Sequence, residues 1–183
     1  MKESKLWLVL SLFITCCIVA FALSQVYAIT KPKIDYQRQV AGLLSAFGAV
    51  MPEGDRFEPA TPDSTVWRAF KGNQPIGTIV RVAKQGYGGL VPVTAGIDLD
   101  GKIVAIRVAS PAEGLKETPG LGLKATEEKF RNQFKGKTSS ELQLKKDGGT
   151  IDAITGATIT SRAVTEALRE AMTRYQEIIQ GNE

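Results

Sequence analysis

The sequence predicts an α+β fold: an N-terminal transmembrane helix followed by one domain in which an antiparallel-rich sheet packs against helices. Three observations carry this. Residues 6–28 contain no charge. Two pairs of β-rich segments, each split by turn residues, lie within 65–109. After Ser161 the apolar residues recur at Val164, Leu168, Ala171, Met172, Tyr175, Ile178 and Ile179, the spacing of one buried helix face. The expected division is a cytoplasmic N-terminus at 1–5, a membrane helix at 6–28, a helix and linker at 29–64, and the main domain at 65–183.

At 1.5 Å per residue the uncharged run would span about 34 Å, enough for a hydrocarbon core of about 30 Å. A cleaved signal peptide is the competing reading, since Val26-Tyr27-Ala28 resembles a small-residue cleavage site. The length of the run and the aromatics Trp7 and Tyr27 near its ends favour a retained anchor. Lys2 and Lys5 face Lys31, Lys33 and Arg38 across it, so charge alone does not orient it. The short N-terminus argues for an exported main domain.

From 30 to 50 a second helical pattern carries Ile34, Val40, Leu43, Leu44 and Phe47, and Pro52 ends it. The stretch 53–64, with Pro59 and Pro62 among charges, reads as a linker. Residues 65–70 and 75–83 flank the turn Lys71-Gly72-Asn73-Gln74, and 91–97 and 103–109 flank Asp98-Leu99-Asp100-Gly101-Lys102, which predicts two hairpins. Between them Gly86, Gly88 and Gly89 either turn the chain or let a ligand or another backbone come close. They do not form a phosphate-cradling loop, because no Lys-Ser/Thr and no opening helix follow.

Two further stretches stand out. Glu117-Thr118-Pro119-Gly120-Leu121-Gly122 is a tight loop, followed at 125–134 by a short helix with Phe130 and Phe134 on one face. Asp152-Ala153-Ile154-Thr155-Gly156-Ala157-Thr158 places a small, hydroxyl-rich turn ahead of the last long helix, expected to start near Ser161. The unpaired amides and positive dipole end at such a start favour a phosphate. The plainer reading is that Thr160 or Ser161 caps the helix.

Together the two stretches resemble the G subunit of Rnf electron-transport complexes, with the C subunit of the sodium-pumping NADH:quinone reductase as a relative. The resemblance is strong from 87 to about 175 and extends to the N-terminal anchor by layout. It implies an FMN-binding domain outside the cytoplasmic membrane, with FMN joined covalently through its phosphate to Thr158 by a flavin transferase. Asp152 either forms the turn or is recognised by that transferase. Thr155, Gly156 and Ala157 would surround the acceptor, while Glu117, Thr118, Gly120, Leu121 and Gly122 would pack beside the flavin and Gly88 and Gly89 line the same cleft. The implied activity is electron relay within a membrane-bound ferredoxin:NAD+ oxidoreductase coupled to Na+ or H+ translocation, with integral membrane subunits as partners. A quinone-reductase-type relay and a flavin-free anchored scaffold are the alternatives. Many relatives carry a histidine just ahead of the Glu117 loop; here Leu115-Lys116 stands, so no imidazole role transfers.

Composition narrows the chemistry. The chain has no histidine, which removes imidazole bases and most zinc or haem ligation. Its 23 basic and 19 acidic residues are scattered rather than striped, so no nucleic-acid partner is expected. Cys16 and Cys17, the two cysteines, lie inside the apolar run and do not staple the domain. Lys116, Lys124 and Arg162 are either solvated surface charges, the commoner case, or candidates to offset a phosphate charge or shift a flavin potential.

Overall fold

A computed structural model describes residues 2–179. Helix α1 runs from Lys2 to Val50. It takes in both the expected membrane helix and the second helical pattern as one element. Within it, Val9–Tyr27 has a mean hydropathy of 2.3 and is long and apolar enough to cross a membrane. Backbone contacts divide the chain into two compact units, one ending at Leu44 and one beginning at Ser45.

The second unit is built on five strands: β1 (Arg56–Pro59), β2 (Val66–Lys71), β3 (Gln74–Gln85), β4 (Leu90–Asp98) and β5 (Ile103–Val108). They form one antiparallel meander in sequence order. Both expected hairpins are present. Their turns close at Gly72 and Gly101, whose positive φ values of 62° and 76° suit glycine. Strand β1 corrects the expectation of a linker: Arg56 to Pro59 pair with Phe70 to Trp67 along the free edge of β2. A proline is tolerated there because an edge strand leaves one row of amides unpaired.

The sheet is covered on both faces. On one lies the helix α3 (Thr158–Arg174), whose Val164, Leu168, Ala171 and Met172 share a core with Val66, Val80, Val93, Ala95 and Ile106. After Tyr175 the chain continues in the short α4 (Gln176–Ile179), which buries Ile179 in the same core. On the other face sits the C-terminal turn of α1. Phe47 is 1% exposed, with ring centroids 5.2 Å from Phe57 and 5.1 Å from Trp67. A side chain on Gly96 would stand 2.3 Å from the Val50 carbonyl, so that glycine is what lets the helix end settle on the strand. The expected helix at 125–134 is broken into a 3-10 turn at Gly122–Thr126, the single turn α2 (Glu128–Arg131) and another 3-10 turn at Asn132–Phe134. Its apolar face is as expected: Phe130 and Phe134 are buried edge to face, 5.3 Å apart.

Candidate functional site at the start of the last long helix

Helix α3 begins at Thr158, three residues ahead of the start expected near Ser161. Neither Thr160 nor Ser161 caps it. Both are fully buried inside the first turn. The Ser161 hydroxyl donates to the Ala157 carbonyl at 2.9 Å and accepts the Ile154 amide at 2.9 Å. That locks the preceding turn against the helix. Within the turn the Ala157 amide bonds the Ile154 carbonyl, and Gly156 takes φ 78° at its third position, as a type II turn requires. The first helical backbone bond runs from the Ser161 amide to the Ala157 carbonyl. The amides of Thr158, Ile159 and Thr160 therefore precede the ladder, at the end where the helix dipole favours an anion.

Thr158 is half-buried, and its hydroxyl accepts a hydrogen bond from the Lys146 ammonium at 3.3 Å. Thr155 and Gly156 are exposed beside it, and Ala157 is buried beneath. The Thr158 hydroxyl is thus reachable, with a cation already facing it.

The glycine loop after Glu117 meets this turn directly. Thr118-Pro119-Gly120-Leu121 forms a second turn of the same kind, with the Leu121 amide bonded to the Thr118 carbonyl and Gly120 at φ 75°. It aims Leu121 at Gly156, where an added side-chain carbon would lie 2.9 Å from a Leu121 methyl. Leu121 remains 42% exposed.

Glu117 ties three segments together. It is only 7% exposed, and its carboxylate accepts the Thr160 hydroxyl at 2.8 Å and the Gly88 amide at 3.2 Å. Side chains at Gly86 or Gly122 would stand 2.4 and 2.3 Å from its oxygens, and one at Gly88 would stand 1.8 Å from the Lys116 carbonyl. Of the two open readings of residues 86–89, close backbone approach is the one found. Gly89 is half-buried against the aliphatic part of Lys116. Among the described residues of the domain the large exposed apolar side chains include Tyr87 (72%), Leu90 (57%), Leu121 and Ile159 (52%), all on these joined segments. Leu121 lies against Gly156 and Ile159 follows Thr158 in the helix, which puts exposed apolar surface next to the Thr158 hydroxyl.

Asp152 is exposed and pairs with Lys145 at 2.8 Å, while its amide and carbonyl bond the Gln133 side chain. Of the three candidates for offsetting phosphate charge, Arg162 is taken by Asp147 in a bidentate pair at 2.8 to 3.1 Å. That pairing holds the Asp147 carboxyl below the usual carboxylate range. Lys116 and Lys124 are exposed on either side of the loop, Lys124 in the 3-10 turn that follows it. The cation that faces Thr158 is Lys146, which the sequence pattern did not single out; the turn signal Lys145-Lys146-Asp147-Gly148-Gly149 just ahead of the threonine motif was the available clue. A separate cavity of about 410 Å³ lies between β3 and the C-terminal half of α3, lined by Arg81, Lys84, Glu170, Arg174 and Tyr175 among others, and does not include Thr158.

The arrangement fits a flavin phosphate on observations of the chain itself: an accessible hydroxyl, a facing ammonium, a helix start and the exposed apolar side chains of Leu121 and Ile159. Comparison with known proteins agrees. Residues 86–173 match the FMN-binding domain family. Over 165 residues the chain is 36% identical to the G subunit of the proton-translocating ferredoxin:NAD(+) oxidoreductase complex of Clostridium ljungdahlii, covering 88% of this chain and 86% of that one. An alignment of 206 residues gives 35% identity to the G subunit of the ion-translocating oxidoreductase complex of Aliivibrio fischeri, with 96% and 90% covered. Among solved structures, the C subunit of the Na(+)-translocating NADH-quinone reductase of Parabacteroides distasonis is similar at a TM-score of 0.50 and 26% identity, over 61% of this chain and 60% of that one. With the two motifs joined around Thr158 and these relatives matched along most of its length, the chain belongs to the G-subunit family of ion-translocating oxidoreductase complexes and carries that family's FMN-binding domain.

Proposed function

We propose that the chain is the covalent-FMN electron carrier of a membrane-bound, Rnf-type ferredoxin:NAD+ oxidoreductase that couples electron transfer to Na+ or H+ translocation. The observation that carries this reading is the meeting of two loops at one accessible hydroxyl: Leu121 lies over Gly156, and Glu117 holds Thr160 beside Thr158 in the first turn of α3. FMN, when bound, supplies the redox capacity. The residues of this chain do the holding.

Thr158 provides the attachment oxygen. In the modification step its Oγ1 forms a bond to the flavin phosphorus of a dinucleotide donor, the phosphoanhydride bond breaks, the nucleotide monophosphate leaves with the bonding pair, and the hydroxyl proton passes to a base of the flavin transferase. No oxidation occurs. Gly156, exposed beside the hydroxyl, and the small Ala157 beneath it add no bulk where the transferase approaches, and the exposed Asp152 is available for recognition. Leu121, Ile159, Tyr87 and Leu90 offer apolar surface to a flavin ring, and Thr118, Gly120, Gly122, Gly88 and Gly89 shape the loops that present it. Attachment suits an exposed site, where a dissociable cofactor would be lost.

The helix containing Val9–Tyr27 anchors the chain in the membrane, with residues 65–183 on the extracytoplasmic side and other subunits of the complex, integral membrane ones included, as partners. Protein isolated from its own host should gain the mass of an FMN phosphoester and fluoresce in a denaturing gel. Thr158→Ala should lose both. A wild-type chain of unmodified mass, made where a competent transferase is present, overturns the covalent relay and leaves an anchored scaffold.

A further inference from the structure

Lys146 sits in a segment folded tightly on itself. Leu144 and Ile151 form a parallel bridge, the Lys145 amide bonds the Ile151 carbonyl at 2.8 Å, and the Gly149 amide bonds the Leu144 carbonyl at 2.8 Å. Gly148 closes the 3-10 turn at φ 91°, and a side chain on Gly149 would stand 2.1 Å from the Gln143 carbonyl. Only glycine fits either place.

The residues flanking Lys146 are both committed. Lys145 pairs with Asp152, ahead of Thr158 in the same turn motif, and Asp147 grips Arg162, one turn into α3. These two ion pairs clamp the turn to both sides of the threonine. An exposed ammonium gains little from a neutral hydroxyl that water would not also offer. The clamped turn fixes where the Lys146 side chain leaves the backbone, and from there its ammonium stands 3.3 Å from Thr158 Oγ1.

We propose that Lys146 is the phosphate-pairing residue of this site, an inference that rests on the covalent reading above. A phosphodiester built on Oγ1 carries its negative oxygens on the phosphorus next to the atom the ammonium already faces, within reach of a charge-assisted hydrogen bond. The same charge favours the transfer itself. As the Oγ1–phosphorus bond forms, the proton leaves to the transferase base and the anhydride bond breaks, Lys146 offsets the negative charge gathering around that oxygen and the phosphate. Lys145 and Asp147 act through Lys146 as positioning residues.

The test is a time course of mass gain by the full-length chain, made flavin-free and incubated with flavin dinucleotide, Mg2+ and purified transferase. At low ionic strength Lys146→Ala should load about twofold to fivefold more slowly than wild type, as expected of an exposed charge pair, and Lys146→Glu more slowly still. Lys146→Arg should load close to wild type. The differences should shrink at high salt, where exposed charges are screened. In the loaded chains the ³¹P resonance of the phosphodiester should differ between wild type and Lys146→Ala, a readout independent of electron transfer. Equal loading of Lys146→Ala, Lys146→Glu and wild type at low salt with coincident ³¹P resonances overturns the proposal, and so does a slowing indifferent to salt. A wild-type chain that gains no mass instead refutes the covalent reading, and the pairing role falls with it.

Discussion

Glu117 shows what a single side chain can organise. Its carboxylate is buried, and the segments around it carry glycine where any larger residue would collide with it or with its neighbour's backbone. The side chain thus joins the 86–89 turn, its own loop and the first turn of α3. Glu117→Ala would leave the buried Thr160 hydroxyl without its acceptor, at a cost of about 1–3 kcal/mol, and would release the exposed Gly88 amide to water. Glu117→Gln should be milder, since its amide oxygen can accept from Gly88 while its NH2 donates to the rotated Thr160 hydroxyl. Denaturation midpoints of the two variants check the ordering. If Glu117→Ala matches Glu117→Gln, the carboxylate does not hold the three segments together.

Between elements, the 145–147 turn and α3 are coupled through a titratable pair. The Arg162 guanidinium keeps the Asp147 carboxyl below its ordinary range, and Asp147 in turn raises Arg162. The sign follows from linkage. A carboxyl whose folded pKa is depressed contributes stability that is complete above its unfolded value, about 3.9, and is lost as pH falls through the folded one. Acidification into that range should release the turn from α3. Amide exchange at Gly148 and Gly149 should therefore rise on acidification relative to the intrinsic rate, and in Asp147→Asn this pH dependence should disappear. An unchanged profile in that variant would mean that the Asp147–Arg162 pair does not hold the turn to α3.

For the molecule as a whole, the domain's support extends upstream of the expected boundary at 65. Phe47, Val50 and Met51 are buried on the sheet face opposite α3, and β1 completes the sheet edge. Phe47→Ala should cost about 3–5 kcal/mol, the usual range for emptying a packed aromatic site. A soluble chain begun at Ser45 should accordingly unfold at higher denaturant than one begun at Thr65. Equal midpoints would show that the sheet does not need that face covered. The same packing brings the C-terminal end of α1 into the domain, so the element that carries the apolar Val9–Tyr27 stretch also supplies part of the domain's core.

The two hairpins, the apolar face of α3, the buried Phe130 and Phe134, and the pairing of two motifs that points to a flavin were all legible in the order of the amino acids. Those features are written within a few residues: alternation, turn glycines, helical spacing. Others waited on long-range packing. The charged, proline-bearing stretch around Arg56 becomes a strand because β2 presents an open edge. Thr160, inside the first turn of α3, finds Glu117, 43 residues away in the chain, and is buried with it. Arg162 is spent on Asp147, and Lys146 faces Thr158 in its place. Local pattern sets which conformation each segment prefers, whereas the partner of a buried carboxylate or a clamped ammonium depends on which distant segments the packed sheet and helices bring together.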